Sequence, residues 1–195
     1  YEMQRSLVGS EMCIRDRLER EKTIYSGTIL ALDTASRATG YAIYQGGVII
    51  KSGVWKLKPQ RNLVELYKYI TEAISRNNVS QVIAEDIYKN PDKRNAYERL
   101  SECRGIVTLC NQTAQLPEIA FIESSRVCNE LWGYNPYKTY YRQMSRAEKK
   151  EHTIKYLINR GYLSDSETSD DRADAIALLL AWLQIHRYQA PTTGY

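Results

Sequence analysis

No run of eighteen or more apolar residues occurs in the chain, the length a helix needs to cross a bilayer. The start also lacks the charged-then-apolar order of a signal peptide. These two absences predict a soluble, cytoplasmic protein with no membrane partner. The cysteines are few: Cys13, Cys103, Cys110 and Cys128 form no CxxC pair and have no histidine at metal spacing. That pattern suggests neither a zinc site nor a disulfide framework, and leaves reduced, mostly buried thiols as the expectation. No internal repeat appears. With 195 residues there is room for one domain with a full core, and too little chain for two large ones.

Two segments stand apart in composition. Ser6 to Arg17, "SLVGSEMCIRDR", resembles the translation of a sequencing-library adapter. Residues 1–27 are therefore set aside as a non-native or disordered extension, with one domain expected over 28–187 and a short tail over 188–195. The formal charge of +4 is unevenly spread: residues 134–160 carry seven Lys/Arg against Glu148 and Glu151. That stretch is the candidate surface for a polyanion.

The hydrophobic pattern supplies the architecture. Thr28 to Asp33 reads as a buried strand, Gly40 to Tyr44 as its hairpin partner, and Val48 to Leu57, after Gly46-Gly47, as a third antiparallel strand. Helical spacing follows from Asn62 to Asn77, then an apolar strand from Ser80 to Asp86. After Pro91 a long helix, to about Gln115, places Ala96, Leu100, Cys103, Val107, Cys110 and Ala114 on one face. Glu118 to Ser124 gives a fifth strand, and Ser124 or Ser125 is expected to cap a short helix that runs to Gly133. The aromatic, basic loop "YNPYKTYYRQ" precedes a helix from about Arg146 to Arg160, stopped by Gly161, and the final helix is "DRADAIALLLAWLQ". This order predicts an α/β fold, a mixed sheet with helices on its faces. Such sheets bind ligands beyond the strand ends near a topological switch.

Acids stand at that end. Asp33 closes the first strand, Glu85 closes the fourth, and Asp171 and Asp174 open the last helix, three residues apart and so on one helical face. Taken singly, each has an ordinary structural explanation as a turn residue or a first-turn helix acid. Together they form a set that repels itself unless cations are shared. All-oxygen ligands suit hard divalent ions, Mg²⁺ or Mn²⁺. Two such ions about 3.5–4 Å apart can activate water and stabilise the leaving oxygen in phosphodiester hydrolysis.

The segments "ILALDTASRATGYAIY", "VIAEDIYKN" and "DDRADAIALLLAW" resemble the RuvC family of Holliday junction resolvases, within the RNase H-like nuclease superfamily, from about Ile29 to Gln184. The resemblance implies an RNase H-like fold with a five-stranded mixed sheet, three antiparallel strands then two parallel, flanked by helices on both faces. It implies a homodimer that resolves four-way DNA junctions by Mg²⁺-dependent symmetrical nicks, with two Mg²⁺ per site and Mn²⁺ able to substitute. The implied ligands are Asp33, Glu85, Asp171 and Asp174. Tyr88 matches an aromatic that wedges into the crossover, and Lys149, or Lys150 if the register slips, a basic residue at the scissile phosphate. Lys89, Arg126, Lys138 and Arg142 complete the expected DNA-binding set with Tyr88, Lys149 and Lys150, and the helix from Pro91 to Gln115 is the expected dimer element. The chain departs from the family at Thr34-Ala35, where Pro-Gly is common, and at Cys128, near which a lysine is common. Its "YNPYKTYYRQM" insert is long, as in phage-borne members, which points to a bacterial or phage-infected cell.

Three other functions compete with this one. A RuvC-like enzyme could act on flaps, forks or structured RNA instead. An actin-like ATPase needs two such domains, and only one copy of the strand motif is present. A non-catalytic junction-binding protein has no use for four assembled acids.

Overall fold

The computed structural model describes residues 23–87, 94–132, 144–166 and 169–192. The adapter-like segment, Tyr88, Lys89, Lys138 and Arg142 lie outside these residues.

Among the described residues, ten elements follow in chain order: β1 (Thr28–Thr34), β2 (Ala38–Gln45), β3 (Val48–Lys56), α1 (Asn62–Asn77), β4 (Gln81–Glu85), α2 (Arg94–Thr113), β5 (Ala120–Ile122), α3 (Ser124–Trp132), α4 (Arg146–Asn159) and α5 (Asp170–Ile185). The sheet order is β3-β2-β1-β4-β5. β1 and β2 pair antiparallel, as do β2 and β3, whereas β1–β4 and β4–β5 are parallel. This is the predicted mixed sheet, and its first parallel pairing falls between the two strands that carry Asp33 and Glu85.

β1 is buried on both faces, and its alternation separates two cores. Ile29 and Ala31 pack with Ala42, Tyr44, Ile83 and α5, while Leu30 and Leu32 pack with Ile43, Val82, Ala84, α1 and α2. The same alternation carries Asp33 to the α5 side as the next odd residue of β1, and Glu85 likewise after Ile83 in β4.

α5 is apolar all round: Ala173 and every residue from Ala175 to Leu183 are buried. A helix of that kind is a central element rather than a surface one. It lies across β1 and β2 and is covered in turn by α3 and α4. Ser169 caps it, its Oγ accepting from Arg172 N–H at 3.4 Å.

Several details differ from expectation. On α2, Cys103, Val107 and Cys110 are buried, but Ala96 is exposed, and so is Leu109 at 49%; the expected face also included Ala114, which lies just past the helix end and is exposed. Alanine buries too little area to hold a helix end against a core. α3 is not capped by Ser124 or Ser125; its first turn closes on Glu123, whose carbonyl accepts from Arg126 and Val127. β5 is three residues long. Residues on both flanks of the domain pack on it: Tyr25 lies edge-on to Trp182 and Tyr188, and Thr192 donates its N–H to Gly47 O at 2.9 Å. Cys103 and Cys110 are buried thiols, as expected, and burial pushes Cys110 up to about 11.

Candidate active site

The site begins with strand register. Leu32 of β1 lies beside Ala84 of β4 in the parallel ladder, so the next residues, Asp33 and Glu85, are neighbours at the strand tips on the α5 face. Asp86 follows Glu85 immediately and takes the other direction. It is ion-paired with Arg104 of α2, accepts from Ile87 N–H at 2.9 Å, and Arg104 in turn stacks 3.7 Å over the Phe121 ring. Of the two adjacent acids, only Glu85 is left facing Asp33.

Asp33 pairs across the β1–β2 ladder with Gly40, and this glycine admits the helix. A Cβ at Gly40 would lie 1.8 Å from the backbone oxygen of Asp171. The first turn of α5 therefore rests on bare β2 backbone beside Asp33. Arg172 adds a lateral tie, its Nε donating to Ser52 Oγ of β3 at 3.0 Å.

The charges of these acids meet at Asp33. Its carboxyl is held well above the usual carboxylate range, first by burial and then by Glu85, through both repulsion and a hydrogen bond between the two carboxyls, with Asp174 and Asp171 adding to the shift. All four acids named from the sequence are thus electrostatically joined. Among the described residues no three His, Cys, Asp or Glu side chains form a ready-made ligand set for a metal ion. The fit to a divalent cation rests instead on donor chemistry: oxygen ligands only, and an excess of negative charge that Asp33 relieves by taking up a proton.

A cavity of about 50 Å³ is lined by Asp33, Glu85 and Asp174 together with Ser124, Val127, Cys128, Trp132, Thr153, Ala177 and Leu178. That volume suits an ion or a few waters and is too small for a nucleotide. A groove of about 650 Å³ opens alongside, bounded by Thr34, Glu85, Asp86, Ile87, Leu100, Glu123, Ser124 and Ser125.

α4 supplies the basic side. Its N-terminus is fixed by a capping box, Ser145 N–H donating to Glu148 Oε2 at 2.6 Å and Glu148 N–H to Ser145 Oγ at 3.3 Å. Lys149 stands one turn before the cavity-lining Thr153, whose Oγ1 donates to Lys149 O at 3.1 Å. Lys149 therefore shares the cavity-facing stripe of α4, whereas Lys150 is ion-paired with Asp170. Arg126 is exposed on α3.

No protein-family model matches the chain. The crossover junction endodeoxyribonuclease RuvC of Halorhodospira halophila is 26% identical over 174 residues, covering 85% of this chain and 94% of its own. Thermus thermophilus RuvC, solved in complex with a Holliday junction substrate, superposes with a TM-score of 0.64 at 15% identity, over 82% of this chain and 95% of that one. The chain is a homologue of RuvC. The fold extends further: the yeast mitochondrial Holliday junction resolvase Ydc2 gives a TM-score of 0.51 at 12% identity, over 86% of this chain and 82% of its own.

In this RuvC homologue, two cavity residues carry no signal in the sequence. Ser124 and Thr153 look like ordinary helix residues until the fold brings them to the acids. Cys128 stands out in the sequence only as a departure from the family, and it lines the same cavity.

Proposed function

We propose that this chain is a metal-dependent endonuclease that resolves four-way DNA junctions by paired, symmetrical nicks. The observation that carries the reading is the electrostatic joining of Asp33, Glu85, Asp174 and Asp171 at the parallel switch of a sheet shared with a junction-bound RuvC. Asp33, Glu85, Asp171 and Asp174 would hold Mg²⁺, two ions per site, with Mn²⁺ able to replace it. When bound, the ions lower the pKa of a coordinated water and offset charge at the scissile phosphate.

The remaining work falls to side chains of the chain itself. Asp33 must ionise to act as a ligand, so it gives up the proton that burial and its acidic neighbours favour in the free protein. Lys149, on the cavity stripe of α4, supplies positive charge to the developing phosphate oxyanion. The groove beside Glu85 leaves the strand an approach that the small cavity does not. Tyr88 stacks at the crossover, and Lys89, Arg126, Lys138 and Arg142 join Lys149 in holding the backbone, while Lys150, the remaining basic residue of the expected set, is engaged by Asp170. A four-way junction has two-fold symmetry, so paired nicks call for two copies of the site in a C₂ dimer, with α2 as the interface element. The cytoplasm of a bacterial or phage-infected cell is where such a substrate forms.

The test is a substrate panel of four-way junction, fork, flap, hairpin and linear duplex, with nicks mapped on both strands. Symmetrical nicks near the crossover of the junction are expected. Faster cutting of forks or flaps would move the assignment to another branched substrate.

A further inference from the structure

The two lysines at the start of α4 have separate tasks. We propose that Lys150 and Asp170 are a positioning pair that locks the first turn of α4 to the first turn of α5, and so holds Lys149 in register with Asp171 and Asp174. The inference rests on the nuclease reading for its catalytic part and on geometry alone for its structural part.

α4 packs on α5 more than on any other element, so its place relative to the sheet depends on that contact. Its apolar anchors lie in the second half of the helix: Leu157 is buried, with Ile154, Tyr156 and Ile158 partly so. The first turn has no such anchor among its described residues. Ala147 and Glu148 are exposed there, and the capping box ties Glu148 only to Ser145 of the same segment. α5, by contrast, is fixed at its first turn by the Gly40 contact and by Arg172 on Ser52. The Lys150–Asp170 pair bridges twenty positions of chain between a helix start without a buried apolar anchor and a fixed one. Both side chains are about one-third exposed, 33% and 35%, so the pair is sheltered enough to be held in one geometry.

Position on the helix then separates the neighbours. Lys149 shares a stripe with Thr153, which lines the acid cavity, and Lys150 lies one residue further round, toward α5. Asp170 itself lines no part of the cavity. Without the pair the α4 start would swing, moving the Lys149 charge while leaving the acids in place.

Two measurements test this. In metal-free protein, Lys150→Met and Asp170→Asn should each speed hydrogen exchange at amides of the first turns of α4 and α5. With saturating four-way junction, each should lower kcat by about tenfold with KM changed less than about twofold, and the double variant should be no slower than either single one. The reversed pair, Lys150→Asp with Asp170→Lys, should recover most of the loss in both measurements. Additive losses, a reversed pair as impaired as the singles, or a loss confined to KM, which would mark Lys150 as a phosphate contact, would each overturn the proposal. If the wild-type protein cuts no branched DNA, the nuclease reading fails, and the exchange data with the reversed pair still decide whether the lock exists.

Discussion

A methyl group on Gly40 would stand 1.8 Å from the carbonyl oxygen of Asp171, so the helix that brings two acids to the site rests on a residue with no side chain. The obstruction is backbone on both sides and cannot be relieved by a rotamer change. Gly40→Ala should therefore push α5 away from β2, costing about 1–3 kcal/mol of stability by overpacking. Cleavage should fall by on the order of 100-fold, because ligands displaced by about an ångström no longer address the same phosphate. Denaturant unfolding and junction cleavage check the two effects. A variant with wild-type values for both would show that the close approach is dispensable.

Asp33 links stability to pH. Its folded-state pKa is raised above the ordinary value of 3.8, so folding favours the protonated form. The stabilisation is complete below that ordinary value and is lost as pH rises through the raised one. In chelator, thermal unfolding should show this loss for wild type, and Asp33→Asn should melt higher than wild type at neutral pH because the repulsion with Glu85, Asp174 and Asp171 is gone. A lower melting temperature for the asparagine variant in chelator would mean that Asp33 is a structural acid.

Much of this is legible in the sequence because two simple periods carry it. The alternation in β1 and β4 and the unbroken apolar surface of α5 identify the sheet, its central helix and the acids at their ends. What periodicity cannot show is how closely elements approach. Nothing in "ATGYAIY" says that Gly40 rather than Gly46 or Gly47 bears a helix, since that depends on where α5 lands. The choice of Glu85 over Asp86 rests on the strand's parity and on Arg104, eighteen residues away. Ala96 fits the helical period of α2 and is nevertheless exposed, because a period counts positions and burial counts area, and Ala114 fits it only by running past the point where the helix stops.

Binding to phosphates releases counterions, so the salt dependence of affinity counts the phosphates engaged. Neutral replacements at Arg126, Lys138, Arg142 and Lys149 together should flatten the slope of log K against log salt, by roughly 0.9 for each duplex phosphate no longer neutralised. Fluorescence anisotropy with a labelled junction measures it. An unchanged slope would place the DNA surface elsewhere.

Tyr88 is three residues beyond Glu85 in a polar, basic stretch, "YKNPDKRN". If its ring stacks on an unpaired base, Tyr88→Ala should lose on the order of 1–3 kcal/mol on the reactive junction. Tyr88→Phe should keep wild-type cleavage, and mismatches at the junction centre should partly rescue the alanine variant, since unpairing no longer has to be supplied. Normal cutting by Tyr88→Ala would remove the wedge role.

The central claim is that the four linked acids perform metal-dependent phosphodiester hydrolysis at a DNA branch. The most direct measurement follows wild type and Asp33→Asn on one synthetic four-way junction, with Mg²⁺ and with chelator, recording binding and cleavage in the same samples. Wild type should nick the junction only with the metal and leave linear duplex intact, and Asp33→Asn should bind the junction almost as tightly and cut nothing. Cleavage by Asp33→Asn at the wild-type rate, or wild-type cleavage undiminished in chelator, would contradict the account.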